Sequence, residues 1–154
     1  MTKPSQLAIV SPAVVQDRTP STELLCKNRT EQLIRGFFTV QNEVGLGRSE
    51  EAYQRAFEIW AMEQNLPVLS KPPSPLNIHE HEACILYPDF VAWHDLIIEL
   101  NALPRKLGVS EDLQLFDYLR PPTSRLGLIV NLGLDRVYVE RRIYDPPPTR
   151  LVEN

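Results

Sequence analysis

The chain has 154 residues, of which 43% are hydrophobic and 23% are charged, and its formal net charge is −4. These values are ordinary for one soluble domain with a substantial core, and the longest apolar runs are far too short to span a membrane. The first residues contain no apolar signal-peptide core, so we expect a cytoplasmic protein. The negative charge argues mildly against a simple nucleic-acid binder, which usually carries a basic patch.

Helical patterns dominate the first third of the sequence. Residues 1–20 mix proline, serine and small apolar residues without periodicity, which predicts a flexible arm. Apolar residues at helical spacing then predict a helix over about 22–44, ended by Gly45. Ser49 is a typical N-cap, and it predicts a second helix over about 50–64.

Short extended segments follow, separated by prolines and polar turns. A helix is expected at about 110–119, and a proline-rich tail at 145–154 follows the main domain, 21–144. The order of the elements predicts an α/β domain in which helices pack against a sheet. The expected strands are 67–70, 75–79, 83–86 and 89–93 (the last two separate or as one bent strand), 96–101, 126–131 and 136–142.

Two carboxylates stand at unusual positions in these predicted strands. Glu99 lies inside the apolar run 96–101, where an ionised carboxylate loses several kcal/mol of hydration unless other groups replace the water. Asp89 begins another apolar run ten residues earlier. If the strands are neighbours, the two acids converge, and a divalent cation is the simplest group that would stabilise both. The alternatives are a turn aspartate after Pro88 and an acid at a sheet edge.

Four blocks of sequence, in this order, resemble the GxxExxY proteins of the PD-(D/E)XK nuclease superfamily. In the first block a glycine-rich turn leads into a helix with Glu50 three residues before Tyr53, and the resemblance as a whole covers roughly residues 30–143. The blocks are Gly45–Ala56, Pro88-Asp89 with Glu99-x-Asn101, Gln114–Arg120 and Gly127–Gly133.

The resemblance implies a restriction-endonuclease-like fold, with a central mixed β-sheet flanked by helices. It also implies a Mg²⁺- or Mn²⁺-dependent endo- or exodeoxyribonuclease acting on DNA. The implied metal-associated residues are Glu50, Asp89 and Glu99, and the implied supporting residues are Asn101, Gln114 and Tyr118. From the residues alone, Glu50 is better explained as a first-turn acid that complements the helix dipole. By the same reasoning, Gln114 and Tyr118 are a surface glutamine beside a core tyrosine.

The sequence departs from the superfamily pattern at one position. Asn101 stands where the pattern has lysine, and an amide orients water but carries no positive charge. Arg105 or Lys106 in the following loop would be the nearest replacements. The departure leaves open a second function, a non-catalytic module that binds nucleic acid or protein, and a third, a scaffolding homodimer.

Two further groups of polar residues are candidates for metal or substrate binding. His79 and His81 are spaced to clip a metal on one strand face, although a polar hairpin turn explains them more simply. Basic residues gather late in the chain, where they would suit a phosphodiester substrate or form solvated surface. They are Arg105, Lys106, Arg120, Arg125, Arg136, Arg141 and Arg142.

Overall fold

The computed structural model of the protein describes residues 8–9, 20–119 and 126–143. Its helices are α1 (Pro20–Val44), α2 (Glu50–Glu63) and α3 (Val109–Tyr118). Its strands are β1 (Ala8–Ile9), β2 (Val68–Ser70), β3 (Ser74–Ile78), β4 (His81–Leu86), β5 (Phe90–Ala92), β6 (Leu96–Asn101), β7 (Leu126–Asn131) and β8 (Tyr138–Ile143).

The predicted helices and strands from α1 to β8 are all present, with ends displaced by at most a few residues. Segments 83–86 and 89–93 are two strands and not one bent strand, because β4 and β5 belong to different sheets. The predicted arm and tail fall mostly outside the described residues. Within the arm, Ala8–Ile9 lies parallel to β8.

Six strands form one mixed sheet in the order β1-β8-β7-β6-β5-β2. The central pair β6 and β7 is parallel, β1 lies parallel to β8, and the remaining neighbours are antiparallel. Strands β3 and β4 form a separate hairpin between β2 and β5 in the chain. The prediction of an α/β domain with a central mixed sheet flanked by helices is therefore confirmed.

The sheet is buried on both faces at its centre, where every residue of β6 and β7 is buried. Helices α1 and α2 cover one face and pack the larger cluster, which includes Phe37, Phe57 and Phe90. Helix α3 covers the other face through Leu115, together with Leu119 just after its end. Because side chains alternate along a strand, β6 contributes its even-numbered residues to the first face and its odd-numbered residues to the second.

In residues 20–119 and 126–143, no helix is long and apolar enough to cross a bilayer.

Candidate metal centre

A tight turn brings the two acids together. Strands β5 and β6 are antiparallel neighbours, and the turn between them places Trp93 and His94 in the left-handed region, with φ of 48° and 66°. Left-handed residues at the centre of a turn match the twist of the flanking strands. Asp89, just before β5, consequently lies beside Glu99 on β6, as the sequence predicted for neighbouring strands.

Each carboxylate is held by the backbone of the other residue's strand. The Asp89 N–H donates to Glu99 Oε1 at 3.1 Å, and the Leu100 N–H donates to Asp89 Oδ2 at 2.9 Å. From α3, Gln114 Nε2 donates to the second oxygen of Glu99, Oε2, at 3.2 Å. These three bonds fix both carboxylates at one end of the β5–β6 pair, and we call Asp89 and Glu99 the acid pair.

The acid pair opposes its own ionisation. The Glu99 side chain is only 2% exposed, and burial, followed by the charge of Asp89, raises its pKa to about 9. Burial also raises the pKa of Asp89, against the opposing effects of the Leu100 N–H, Glu99 and the charge of Lys71. Two like charges at one point, with Glu99 buried, remain unfavourable unless a cation joins them.

The donor set of the acid pair fits a hard divalent cation. Mg²⁺ prefers carboxylate oxygens and is usually held by one or two carboxylates, with waters and substrate phosphates as its other ligands. Among the described residues, no group of three or more His, Cys, Asp or Glu side chains is arranged to hold a metal ion. The two carboxylates of the acid pair are the kind of ligand that such an ion takes from a protein.

Glu50 reaches the same end of β6 from the start of α2. Its Oε2 accepts from the Ala102 N–H at 3.3 Å, and Gln54 Nε2 donates to its Oε1 at 3.4 Å. The same Gln54 nitrogen lies 3.1 Å from the Leu100 carbonyl oxygen. The charge of Glu50 also contributes to the raised pKa of Glu99. Glu50 is thus close to the acid pair, and its role as a metal ligand stays a prediction.

Tyr53 holds the turn from which Glu50 projects. Its hydroxyl donates to the Gly45 carbonyl oxygen at 2.7 Å and accepts from the Arg48 N–H at 3.4 Å, while its ring is fully buried. Gly45 itself has a φ of 89°, which residues with a side chain rarely adopt. Ser49 caps α2 as predicted, because its side chain accepts from the Ala52 N–H. Gly45, Ser49 and Tyr53 therefore act together to place Glu50.

Gln114 and Tyr118 lie on the helix that faces the acid pair. The Gln114 bond to Glu99 places its amide directly at the pair. The Tyr118 hydroxyl donates to the Tyr87 carbonyl oxygen at 3.4 Å. Burial, and then the charge of Glu99, raises the pKa of Tyr118, so the phenol keeps its proton at neutral pH. The structure brings both residues to the predicted centre.

Asn101 is tied to the neighbouring strand. It is 9% exposed, and its Nδ2 donates to the Val130 carbonyl oxygen at 3.3 Å. In the loop after β6, Arg105 donates to Glu111 Oε1 at 2.6 Å and lowers the pKa of that carboxyl to about 2. This ion pair commits Arg105 to the start of α3. Lys106 is exposed, and among the described residues no contact joins it to the acid pair.

Other predicted polar groups are located away from the acid pair. His79, with a φ of 57°, and His81 lie exposed at the end of the β3–β4 hairpin, which is the polar turn that the sequence favoured. Arg142 is not a surface cation, since it is 5% exposed and paired with Asp112 and Glu140. Of the late basic residues, Arg120 and Arg125 lie outside the described residues.

Two residues near the centre were not predicted from the sequence. Gln54 joins Glu50 to the end of β6, and Lys71 is the cation whose charge acts on Asp89. No local sequence pattern marks Lys71 as a site residue, and only the pairing of β2 with β5 would have indicated that it lies near Asp89.

Comparison with known proteins gives a match at the level of a superfamily. A family model described as the PD-(D/E)XK nuclease superfamily matches residues 27–143. Neither the curated proteins nor the solved structures gave a significant match to the chain. The matched range covers more than half of the chain, and it contains β5, β6 and α3 with the acid pair and Gln114. The chain belongs to the PD-(D/E)XK nuclease superfamily.

Proposed function

We propose that the protein is a Mg²⁺- or Mn²⁺-dependent DNA nuclease of the GxxExxY type, with the acid pair at its centre. The observation that carries this proposal is the pair of backbone hydrogen bonds, from the Asp89 and Leu100 N–H groups, that holds the buried Glu99 carboxylate beside the half-buried Asp89 carboxylate. Membership of the superfamily supports a nucleic-acid substrate and a divalent metal. An arrangement that stabilises the fold alone would not favour two acids at one point with one of them buried.

The residues divide the work of phosphodiester hydrolysis among them. A divalent ion, when bound, would polarise the scissile phosphate and lower the pKa of a bound water. Asp89 and Glu99 would hold it, and the N–H groups of Asp89 and Leu100 keep the carboxylates in position before binding. Gln114 orients Glu99 by occupying its second oxygen. This preorganisation means that little rearrangement is required when metal and substrate bind.

Glu50 and Tyr118 would act at the edges of the same centre. Glu50 is exposed, so it is accessible to a bound water or to a second cation as well as to the Ala102 N–H. Tyr118 keeps its proton at neutral pH, and its hydroxyl would exchange the 3.4 Å bond to the Tyr87 carbonyl oxygen for a bond to the substrate. We propose that both contribute to activity, with smaller effects than the acid pair.

The first test is metal binding. Mg²⁺ or Mn²⁺ at millimolar concentration is expected to raise the melting temperature of the protein, because an ion that binds only the folded state stabilises it. Asp89→Asn should abolish this shift. Glu51→Gln is the matched control, since Glu51 is an exposed acid next to Glu50. A metal-induced shift that survives both Asp89→Asn and Glu99→Gln would exclude the acid pair as the metal site.

The second test is cleavage. Single-stranded, double-stranded and branched DNA should be incubated with Mg²⁺, with Mn²⁺ and with EDTA, and turnover is expected only with metal. By analogy with the loss of one transition-state contact, Asp89→Asn and Glu99→Gln should each lower turnover by at least ~10²-fold. Glu50→Gln should reduce it less, and Glu51→Gln should leave it unchanged.

The outcomes also separate the alternative functions. DNA binding without cleavage on every substrate would favour the non-catalytic module instead. If neither binding nor cleavage appears, the nuclease assignment is wrong and a protein partner becomes the better hypothesis. If cleavage occurs, the length of the products distinguishes an endonuclease from an exonuclease.

A further inference from the structure

Lys71 lies directly across the sheet from Asp89. The register of β2 and β5 pairs Ser70 with Phe90, so the next pair along the two chains is Lys71 with Asp89. The pairing continues by one bond beyond β2, since the Lys71 N–H donates to the Asp89 carbonyl oxygen at 2.8 Å. Lys71 lies one residue past the end of β2, and its backbone is therefore held directly beside Asp89 of the acid pair.

The backbone at Lys71 has an uncommon conformation for a lysine. Its φ is 47°, in the left-handed region that residues other than glycine, asparagine and aspartate seldom adopt. The chain leaves the central sheet at this residue and turns into the β3–β4 hairpin. The bond to Asp89 fixes the position of the turn, so that Lys71 stays next to the acid even though its side chain is exposed.

We propose that Lys71 supplies the positive charge that the centre lacks at Asn101, and that its ammonium contacts the scissile phosphate. The inference rests on the proposed nuclease function. Asn101 cannot provide the charge because its amide is neutral and bonded to β7. Arg105 is committed to Glu111. Lys71, by contrast, makes no salt bridge with another described residue.

Charge balance supports this role. With Glu50, the acid pair and one divalent ion, the loaded centre would keep one net negative charge, and the ammonium of Lys71 would cancel it. A phosphodiester carries one negative charge, and the pentavalent transition state carries more. The same lysine would therefore attract the anionic substrate to the loaded centre.

The test compares lysines at different distances from the acid pair, using the full chain with the DNA and metal that give cleavage. Lys71→Ala is expected to lower kcat by ~10²-fold, the scale for losing one preorganised donor to the transition state. Lys71→Arg should recover part of the activity, because it restores charge with a different shape. Lys27→Ala, an exposed lysine on α1, is the control and should match the wild type.

A second pair of variants distinguishes a lost charge from a damaged fold. Asn101→Lys should gain little activity in the wild-type background, and it should rescue part of the loss in the Lys71→Ala background. Circular dichroism and the melting temperature should be the same for Lys71→Ala and wild type. Rescue by a lysine on another strand would not be expected if Lys71 only shaped the turn.

Three results would overturn the inference. If wild type cleaves and Lys71→Ala stays within about threefold of it, well below the ~10²-fold expected, Lys71 is not the missing cation and the nuclease function stands. If Lys106→Ala loses activity while Lys71→Ala does not, the cation comes from the loop after β6. If wild type cleaves no substrate with either metal, the inference and the proposed function fail together.

Discussion

Replacing Glu99 with glutamine should change how the stability of the metal-free protein depends on pH. Burial and the charge of Asp89 raise the pKa of Glu99 from 4.5 to about 9. Between these values the folded state keeps a proton that the unfolded state has lost. The free energy of unfolding therefore falls as pH rises through this window, and the penalty is absent below the lower pKa and complete above the higher one.

The size of the effect follows from the slope of proton linkage. One proton difference corresponds to about 1.36 kcal/mol for each pH unit. Raising the pH from about 5.5 to about 7.5 should consequently cost the wild type about 3 kcal/mol through Glu99. Glu99→Gln keeps the shape of the side chain but cannot ionise, so it should lack this part of the pH dependence.

Urea unfolding in EDTA at the two pH values measures the difference. The wild type should lose more stability than Glu99→Gln between them, and Glu51→Gln should behave like the wild type because Glu51 is exposed. Saturating Mg²⁺ should reduce the difference, since it stabilises the ionised carboxylates. Parallel pH profiles for wild type and Glu99→Gln in EDTA would refute the reasoning that Glu99 is destabilised by burial.

Three further predictions concern the loops that frame the centre, each measured by urea unfolding at neutral pH. Asn131→Ala should cost on the order of 3 kcal/mol, because the buried side chain bonds both the N–H and the carbonyl of Leu103 and the N–H of Gly133. Gly133→Ala should cost ~1–3 kcal/mol, since a Cβ would lie 2.4 Å from the Leu103 backbone. Tyr53→Phe should cost ~1 kcal/mol by removing the bond to Gly45.

Local sequence patterns predicted the elements because each pattern had a physical cause that acts within the segment. The apolar run around Glu99 indicated a buried strand, and β6 is buried along its whole length. Ser49 indicated a helix start and caps α2. The unusual feature of the run, a carboxylate without local compensation, correctly indicated burial beside a second acid.

Features that depend on contacts between distant segments were not predictable in the same way. From the sequence, Arg142 resembles an exposed arginine on a strand. Only its contact with Asp112 on α3 explains why it is buried. The β3–β4 hairpin consists of two predicted extended segments, and nothing local indicated that it leaves the main sheet. Gln54 has the spacing of an ordinary polar helix residue, although it joins Glu50 to β6.

The cation near the acid pair shows why spacing along the chain can mislead. A lysine two residues after Glu99 would share its strand face, so the sequence pattern directs attention to Asn101 and to the loop that follows. Lys71, the cation proposed to act here, follows β2 and is joined to Asp89 by a backbone hydrogen bond. Between Lys71 and Asp89 the chain makes the whole β3–β4 hairpin, which hides this proximity in the sequence. Electrostatic stabilisation depends on distance in space. A charged residue that follows β2 would therefore replace one on β6 without any change that is visible in the local sequence motif.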